Sequence, residues 1–218
     1  MKEKIALVFG ATGLVGKQVV DTLLKSEEYS LIKIFLRKEG NYSSSKIQVI
    51  QVNFSKLEDH ISEIKGDEIF CCLGTTIKKA GTQKAFREVD YHLVLQLGKI
   101  AKGNQVHDFK VISSLGANPK SSNFYLRVKG EMEEALKNLK LERLLIMRPS
   151  LLLGKREEKR MGGNFGKILM KFILPLMMGS LKKYRPVYAS KVAFAMIHFK
   201  MKAQVHIVES DQIEELFS

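Results

Sequence analysis

Cysteine is almost missing from this 218-residue chain, and the two that occur, Cys71 and Cys72, are neighbours. That excludes a disulfide framework and gives no metal-ligand spacing. Adjacent cysteines also meet disulfide geometry only with strain, so both read as buried strand residues rather than redox partners. Long apolar runs are missing too. The longest, Phe165 to Met178, carries Lys167 and Lys171 and is broken by Pro175, too short to span a bilayer. A core or substrate-pocket helix is the plainer reading of it; weak surface attachment to a membrane is the sharper one. No signal-peptide pattern precedes the first apolar run. The expected compartment is therefore reducing, with cytoplasm as the default. The five histidines, His60, His92, His107, His198 and His206, lack ligand spacing, and no metal is expected.

Acidic residues are in deficit: 23 against 36 lysines and arginines, a formal net charge of +13. Such a balance speaks to association rather than fold. The basic residues are spread along the chain, and the densest patch, Lys155 to Arg160, also holds Glu157 and Glu158. A solvated basic surface is expected, and nucleic acid is not the expected partner. The sequence assigns no oligomeric state.

What is present is concentrated at the start. Ile5 to Phe9 is an apolar run that breaks into Gly10, Gly13 and Gly16. A buried strand, a tight turn and a helix N-terminus in that order point backbone N–H groups and the helix dipole at an anion. Gly10 permits the turn, Gly13 lets backbone approach a pyrophosphate, and Gly16 lets helix and strand pack closely.

Strand patterns recur at Ile32–Leu36, Ile47–Val52, Glu68–Cys72, Asp108–Ile112, Arg143–Met147 and Ala203–Val208. Helical patterns lie between them at Val15–Lys25, Ser62–Ile64, Arg87–Gly103, Tyr125–Leu139 and Lys191–Lys200. This alternation predicts an α/β fold, a Rossmann-like doubly wound parallel sheet. Residues 1–218 are expected to form a single NAD(P)-binding unit. The segment 151–190 breaks the rhythm and is expected to line and cover a substrate pocket, with Leu169, Met170, Met177 and Met178 as an adaptable apolar lining.

Strand ends carry the candidate chemistry. Arg37 and Lys38 stand at the second strand end, where an NAD site commonly has Asp or Glu. A guanidinium there suits a 2′-phosphate, so NADP is expected, with NAD as the alternative. The fourth strand ends in Leu73-Gly74-Thr75-Thr76, offering close backbone approach and hydroxyls. The fifth ends in Ser113-Ser114, followed by Tyr125 and Lys129 on one helical face. A phenol, with an ordinary pKa near 10, is a poor base at neutral pH. A lysine ammonium one turn away favours the phenolate, and the phenol can then exchange a proton with a carbonyl or alcohol oxygen while hydride moves at carbon.

The glycine turn, Ser113-Ser114, Tyr125-x-x-x-Lys129 and Arg148-Pro149 together resemble the short-chain dehydrogenase/reductase superfamily, in its atypical and extended branches. Phe70 to Thr76, Val89-Asp90-Tyr91 and Asn123 to Glu131 look like the oxidoreductase family of the human Tat-interacting protein and its bacterial relatives. The resemblance implies a Rossmann fold binding NADP(H) and a Ser/Tyr/Lys site. By position it assigns Ser114 (Ser113 as fallback), Tyr125 and Lys129 to catalysis. It assigns Gly10, Thr12, Gly13, Leu14, Val15 and Gly16 to the pyrophosphate turn, and Arg37, with Lys38 beside it, to the 2′-phosphate. Leu73, Gly74 and Thr75 fall on the adenosine side, and Lys129 on the ribose. Pro149, Leu151 and Leu152 fall near the nicotinamide. Asn53 stands where relatives often have Asp for the adenine edge. The short C-terminal region speaks against a nucleotide-sugar substrate. The implied function is NADP(H)-dependent oxidation or reduction of a small carbonyl or alcohol substrate. A cofactor-binding regulator or sensor with little or no turnover is the alternative.

Overall fold

The computed structural model describes residues 3–40, 42–154 and 179–216. Phe165 to Met178, the pocket-lining Leu169, Met170, Met177 and Met178, and the Lys155 to Arg160 patch lie outside these described residues.

Strands β1 (Lys4–Phe9), β2 (Tyr29–Leu36), β3 (Ile47–Gln51), β4 (Glu68–Cys71), β5 (Asp108–Ile112), β6 (Arg143–Arg148) and β9 (Val205–Glu209) form one parallel sheet in the order β3-β2-β1-β4-β5-β6-β9. The order reverses between β1 and β4, the switch point where doubly wound sheets bind ligands at their carboxyl ends. Two further short strands among the described residues, β7 (Leu152–Leu153) and β8 (Val187–Tyr188), pair with each other.

Both faces of the sheet are covered, so strand side chains alternate between two cores. Ala6, Val8, Ile34, Phe70 and Leu145 face helix α1 (Leu14–Lys25) and helix α6 (Ala189–His198). Leu7, Phe9, Phe35, Ile69 and Val111 face the other layer, which holds α4 (Leu93–Gly103) and α5 (Phe124–Asn138). Phe9 and Phe35, paired in register, stack with ring centroids 4.3 Å apart. Each large apolar side chain buried this way contributes roughly 1.5–3 kcal/mol.

The amino ends of the strands hold a separate polar cluster. Glu68 Oε2 lies 2.5 Å from Lys110 Nζ and accepts the Tyr29 hydroxyl at 2.9 Å, while Glu68 Oε1 faces Lys4 Nζ at 3.0 Å.

Four local expectations are corrected. β2 starts at Tyr29, three residues early, because Tyr29 pairs with Lys4 across the sheet. Ser62–Ile64 is a turn, not a helix. The chain coils earlier, over the 3-10 segment Phe54–His60, because the Asn53 side chain accepts the Ser55 N–H and starts it there. It must then straighten for Asp67 N–H to reach Ile5 O. The helix expected over Arg87–Gly103 is interrupted. After α2 (Ile77–Ala80) and α3 (Gln83–Arg87), Glu88–His92 forms a π-turn, in which Leu93 N–H donates to Glu88 O, five residues back, before α4 begins. The last strand begins at Val205 rather than Ala203, after the Lys202 and Ala203 N–H groups donate to His206 Nε2 and hold the preceding bend; a short helix, α7 (Ser210–Glu215), follows it.

Candidate functional site

Backbone geometry builds the first part of the site. Gly10 has φ +81°, and a Cβ there would stand 2.4 Å from Cys72 O. It is therefore glycine both for its left-handed conformation and for the close approach of the β4 exit. Gly13 N–H donates to Gly10 O at 2.9 Å and sets the turn. As N-cap of α1, Gly13 has no side chain to accept the first-turn N–H groups. Those donors, with the dipole behind them, suit an anion. At Gly16 a Cβ would lie 2.1 Å from Gly10 O, so the helix rests directly on the turn. Val15, in the first turn of α1, is buried, and the Leu14 side chain lies against Gly154. Thr12 is exposed.

A cleft of about 1090 Å³ opens between this turn and the carboxyl ends of β2, β3 and β4. Gly10, Gly13, Arg37, Asn53, Leu73, Gly74 and Thr75 line it, and Lys79, Val89, His92 and Gln96 form its far wall. A second recess of about 890 Å³ holds Thr12, Lys17, Arg37, Lys38 and Tyr42. Arg37 borders both, so one guanidinium can serve an anion at their junction. Asn53 lines the cleft, and its Oδ1 accepts the Ser55 N–H at 3.0 Å. Cys71 is buried in β4, and burial pushes its thiol up to about 12. Cys72, half-buried at the cleft, is raised by burial as well. Neither favours the thiolate that redox chemistry needs.

The second part of the site hangs from β5 and β6. Ser113 N–H continues the ladder to Met147 O, and its buried hydroxyl donates to Glu133 Oε1 at 2.5 Å. Ser114, half-buried, has only a long contact, 3.4 Å, to Leu115 O. The two serines thus have different duties: Ser113 is consumed internally, and Ser114 has a hydroxyl to offer. Asn123 caps α5 by accepting the Leu126 N–H, which places Tyr125 in the first turn and Lys129 one turn on. Half-buried Tyr125 lies against Phe86, ring centroids 5.6 Å apart. Lys129 is buried, its Nζ 2.7 Å from Asp90 Oδ1 and 3.3 Å from Ile112 O. Burial works against the Lys129 charge, but Asp90 first and then Tyr125 favour it, and the ammonium is held above its ordinary range. Pro149 is buried and its carbonyl accepts the Leu115 N–H, while Leu151 is exposed and Leu152 pairs in β7.

Three residues not assigned to the site from the sequence support it. Asp90 pairs with Lys129. Glu133 ties Ser113 to Arg148, whose Nε and Nη2 donate to its carboxylate. Gly130 lets α5 lie against the Asn118–Pro119 backbone, where a Cβ would come within 2.3 Å. For Asp90 the signal was readable: it falls on the stripe Phe86, Val94, Leu97, where a carboxylate among buried apolar residues stands out.

Comparison with known proteins gives a consistent result. A family model described as NAD(P)H-binding matches residues 10–167. Protein HTATIP2 of Rattus norvegicus is 35% identical over 166 residues, covering 74% of this chain and 68% of that protein. Protein FMP52, mitochondrial, of Candida albicans is 30% identical over 222 residues, covering 96% of each. Among solved structures, MoeE5 in complex with UDP-glucose and NAD superposes with a TM-score of 0.69 at 11% identity, covering 97% of this chain and 80% of that one. UDP-glucose 4-epimerase of Thermotoga maritima gives 0.69 at 16%, with 98% and 80% coverage. At such identities these structures establish the fold alone. The FMP52 relatives correct one expectation: they are named as mitochondrial, which overturns cytoplasm as the default. Among the described residues, no helix is long and apolar enough to cross a membrane.

Proposed function

Because the chain belongs to the NAD(P)H-binding family, we propose that it is an NADP(H)-dependent oxidoreductase of the short-chain dehydrogenase/reductase type, acting on a small carbonyl or alcohol substrate. The observation that carries this reading is Lys129: a charged ammonium buried beside the cleft, one helical turn from Tyr125. In this reading 1–218 is one cofactor-binding unit; most of the segment 151–190, expected from the sequence to cover the substrate, lies outside the described residues.

The residues present fit the cofactor. The uncapped first turn of α1 suits a pyrophosphate, and Gly13 and Gly74 keep the approach clear of side chains. Arg37 and Lys38 would take the 2′-phosphate, and Lys129 the nicotinamide ribose. When bound, the reduced nicotinamide supplies the hydride that a carbonyl carbon takes up. Ser114 would donate a hydrogen bond to the carbonyl oxygen and orient it. Tyr125 would pass its phenolic proton to that oxygen as the alcohol forms. The Lys129 ammonium offsets the negative charge left on the phenolate. In oxidation the same groups work in reverse.

Tyr125→Phe is expected to abolish NADPH oxidation across a panel of aldehydes, ketones and quinones while leaving the NADPH Kd nearly unchanged. Undiminished turnover in that variant overturns the mechanism.

A further inference from the structure

Asp90 lies at the same site, and the chemistry above does not use it. Its side chain is 1% exposed and that of Lys129 4%. Removing both charges from water is costly, and an apolar pair would pack more cheaply among Phe86, Val94 and Leu97. The carboxylate divides its two oxygens. Oδ1 faces Lys129 Nζ at 2.7 Å, and Oδ2 accepts the Thr75 N–H at 2.8 Å. Gly74, which lines the cleft, adjoins the pair: a Cβ there would stand 3.4 Å from Asp90 Oδ1 and 4.0 Å from Lys129 Nζ.

Asp90 is delivered by the π-turn. The extra residue in that turn re-aims the side chains around it, as such bulges do at functional sites. The residues just before it grip the same helix, with Phe86 against Phe124 and Tyr125, and Arg87 paired with Glu131.

We propose that Asp90 is a positioning residue: its carboxylate fixes the Lys129 ammonium beside the cleft and ties it, through Thr75, to the loop after β4. The proposal rests on the reading of Lys129 as the cation of the cofactor site. Besides Asp90, the groups facing Lys129 are the Cys71 thiol from β4, the Tyr125 phenol from α5 and the Ile112 carbonyl. Without the carboxylate, burial dominates and favours the neutral amine. Asp90→Asn keeps the side-chain shape and an acceptor for Thr75 N–H, and removes the charge together with the acceptor that faces Lys129.

The test follows the Lys129 side chain directly, by NMR of protein labelled at the lysine ε-carbon, with Lys129→Met assigning the signal. Calorimetric NADPH titrations run alongside, between about pH 6.5 and 9.5. In the wild type Lys129 stays charged throughout and the Kd is flat. In Asp90→Asn the signal titrates within that range, and the Kd weakens by at least about tenfold toward the alkaline end. Asp90→Glu restores the charged signal at least in part. A wild-type Lys129 that titrates below about pH 9.5, or an Asp90→Asn signal identical to wild type, overturns the proposal. If Asp90→Asn does not fold, the wild-type titration alone decides. Failure of the cofactor reading looks different: Lys129→Met would then bind NADPH as tightly as wild type, whatever the NMR shows.

Discussion

Arg148 grips Glu133 with two hydrogen bonds, Nε to Oε1 at 2.9 Å and Nη2 to Oε2 at 2.6 Å, and the same Nη2 reaches Ala117 O at 3.2 Å. One guanidinium therefore joins the end of β6, the middle of α5 and the loop that carries Ser114. Glu133 is 1% exposed, so removing its partner strands a buried carboxylate. Arg148→Met is expected to cost about 3–5 kcal/mol in urea unfolding. Adding Glu133→Gln should recover part of the loss. A change below about 1 kcal/mol would show that the pair is not holding this region together.

The glycine turn makes a contrast that mutation can read. Gly16→Ala would place a Cβ 2.1 Å from Gly10 O, a clash with backbone that no side-chain rotation relieves. Loss of NADPH binding, with marked destabilisation, is the expected outcome. At Gly103, the last residue of α4, a Cβ meets nothing within 4 Å. Gly103→Ala should stabilise the fold by about 0.4–1 kcal/mol through the unfolded chain. Equal behaviour of the two variants in thermal unfolding would refute the packing argument.

Cofactor choice turns on Arg37. With two charge-assisted hydrogen bonds to a 2′-phosphate at stake, Arg37→Ala should weaken NADPH binding roughly 10- to 100-fold. NADH affinity should hardly move. Calorimetry with both cofactors measures the ratio, and equal losses for the two would remove Arg37 from the 2′-phosphate.

Alkaline pH should destabilise this protein through the thiols of Cys71 and Cys72, the Tyr29 phenol and the Lys129 ammonium. Burial pushes the Tyr29 phenol up, and the Glu68 carboxylate beside it pushes the same way. Tyr29 thus stays neutral when folded but ionises near pH 10 when unfolded. Its contribution is present below that pH and lost as pH rises above it. Lys129 has the same sign, because Asp90 outweighs burial and raises its pKa above the unfolded value. The Cys71 and Cys72 thiols, also raised by burial, add to the loss, so unfolding free energy should fall from about pH 8.5 upward and more steeply above about pH 10. Tyr29→Phe should cost about 1 kcal/mol at pH 7, for the lost hydrogen bond, and flatten the alkaline decline. An unchanged slope between about pH 8 and 11 would contradict this.

Most of the sheet was legible because buried parallel strands are short apolar runs bounded by turn residues, as in Ile5–Phe9 before Gly10. The cleft was legible for the same reason: glycines at Gly10 and Gly16 have steric duties that leave no alternative residue. What escaped depends on contacts between distant segments. The π-turn at Glu88–His92 has the composition of an ordinary helix, and its extra residue is set by packing against α5. The different fates of Ser113 and Ser114 follow from Glu133, twenty residues away on α5. The early start of β2 depends on Lys4, at the far end of a neighbouring strand.

The Glu68 cluster has a consequence for alignment. Its carboxylate draws together side chains from β1, β2 and β5 while standing on β4. Sliding any of these strands by one residue would turn its contributing side chain to the opposite face. The cluster therefore acts as a lock that accepts one register across four strands. Gly10, Leu36, Gly74 and Ser114 leave the opposite ends of those strands. Their heights relative to one another are consequently set some five residues away, at an end of the sheet that no ligand in the cleft would touch.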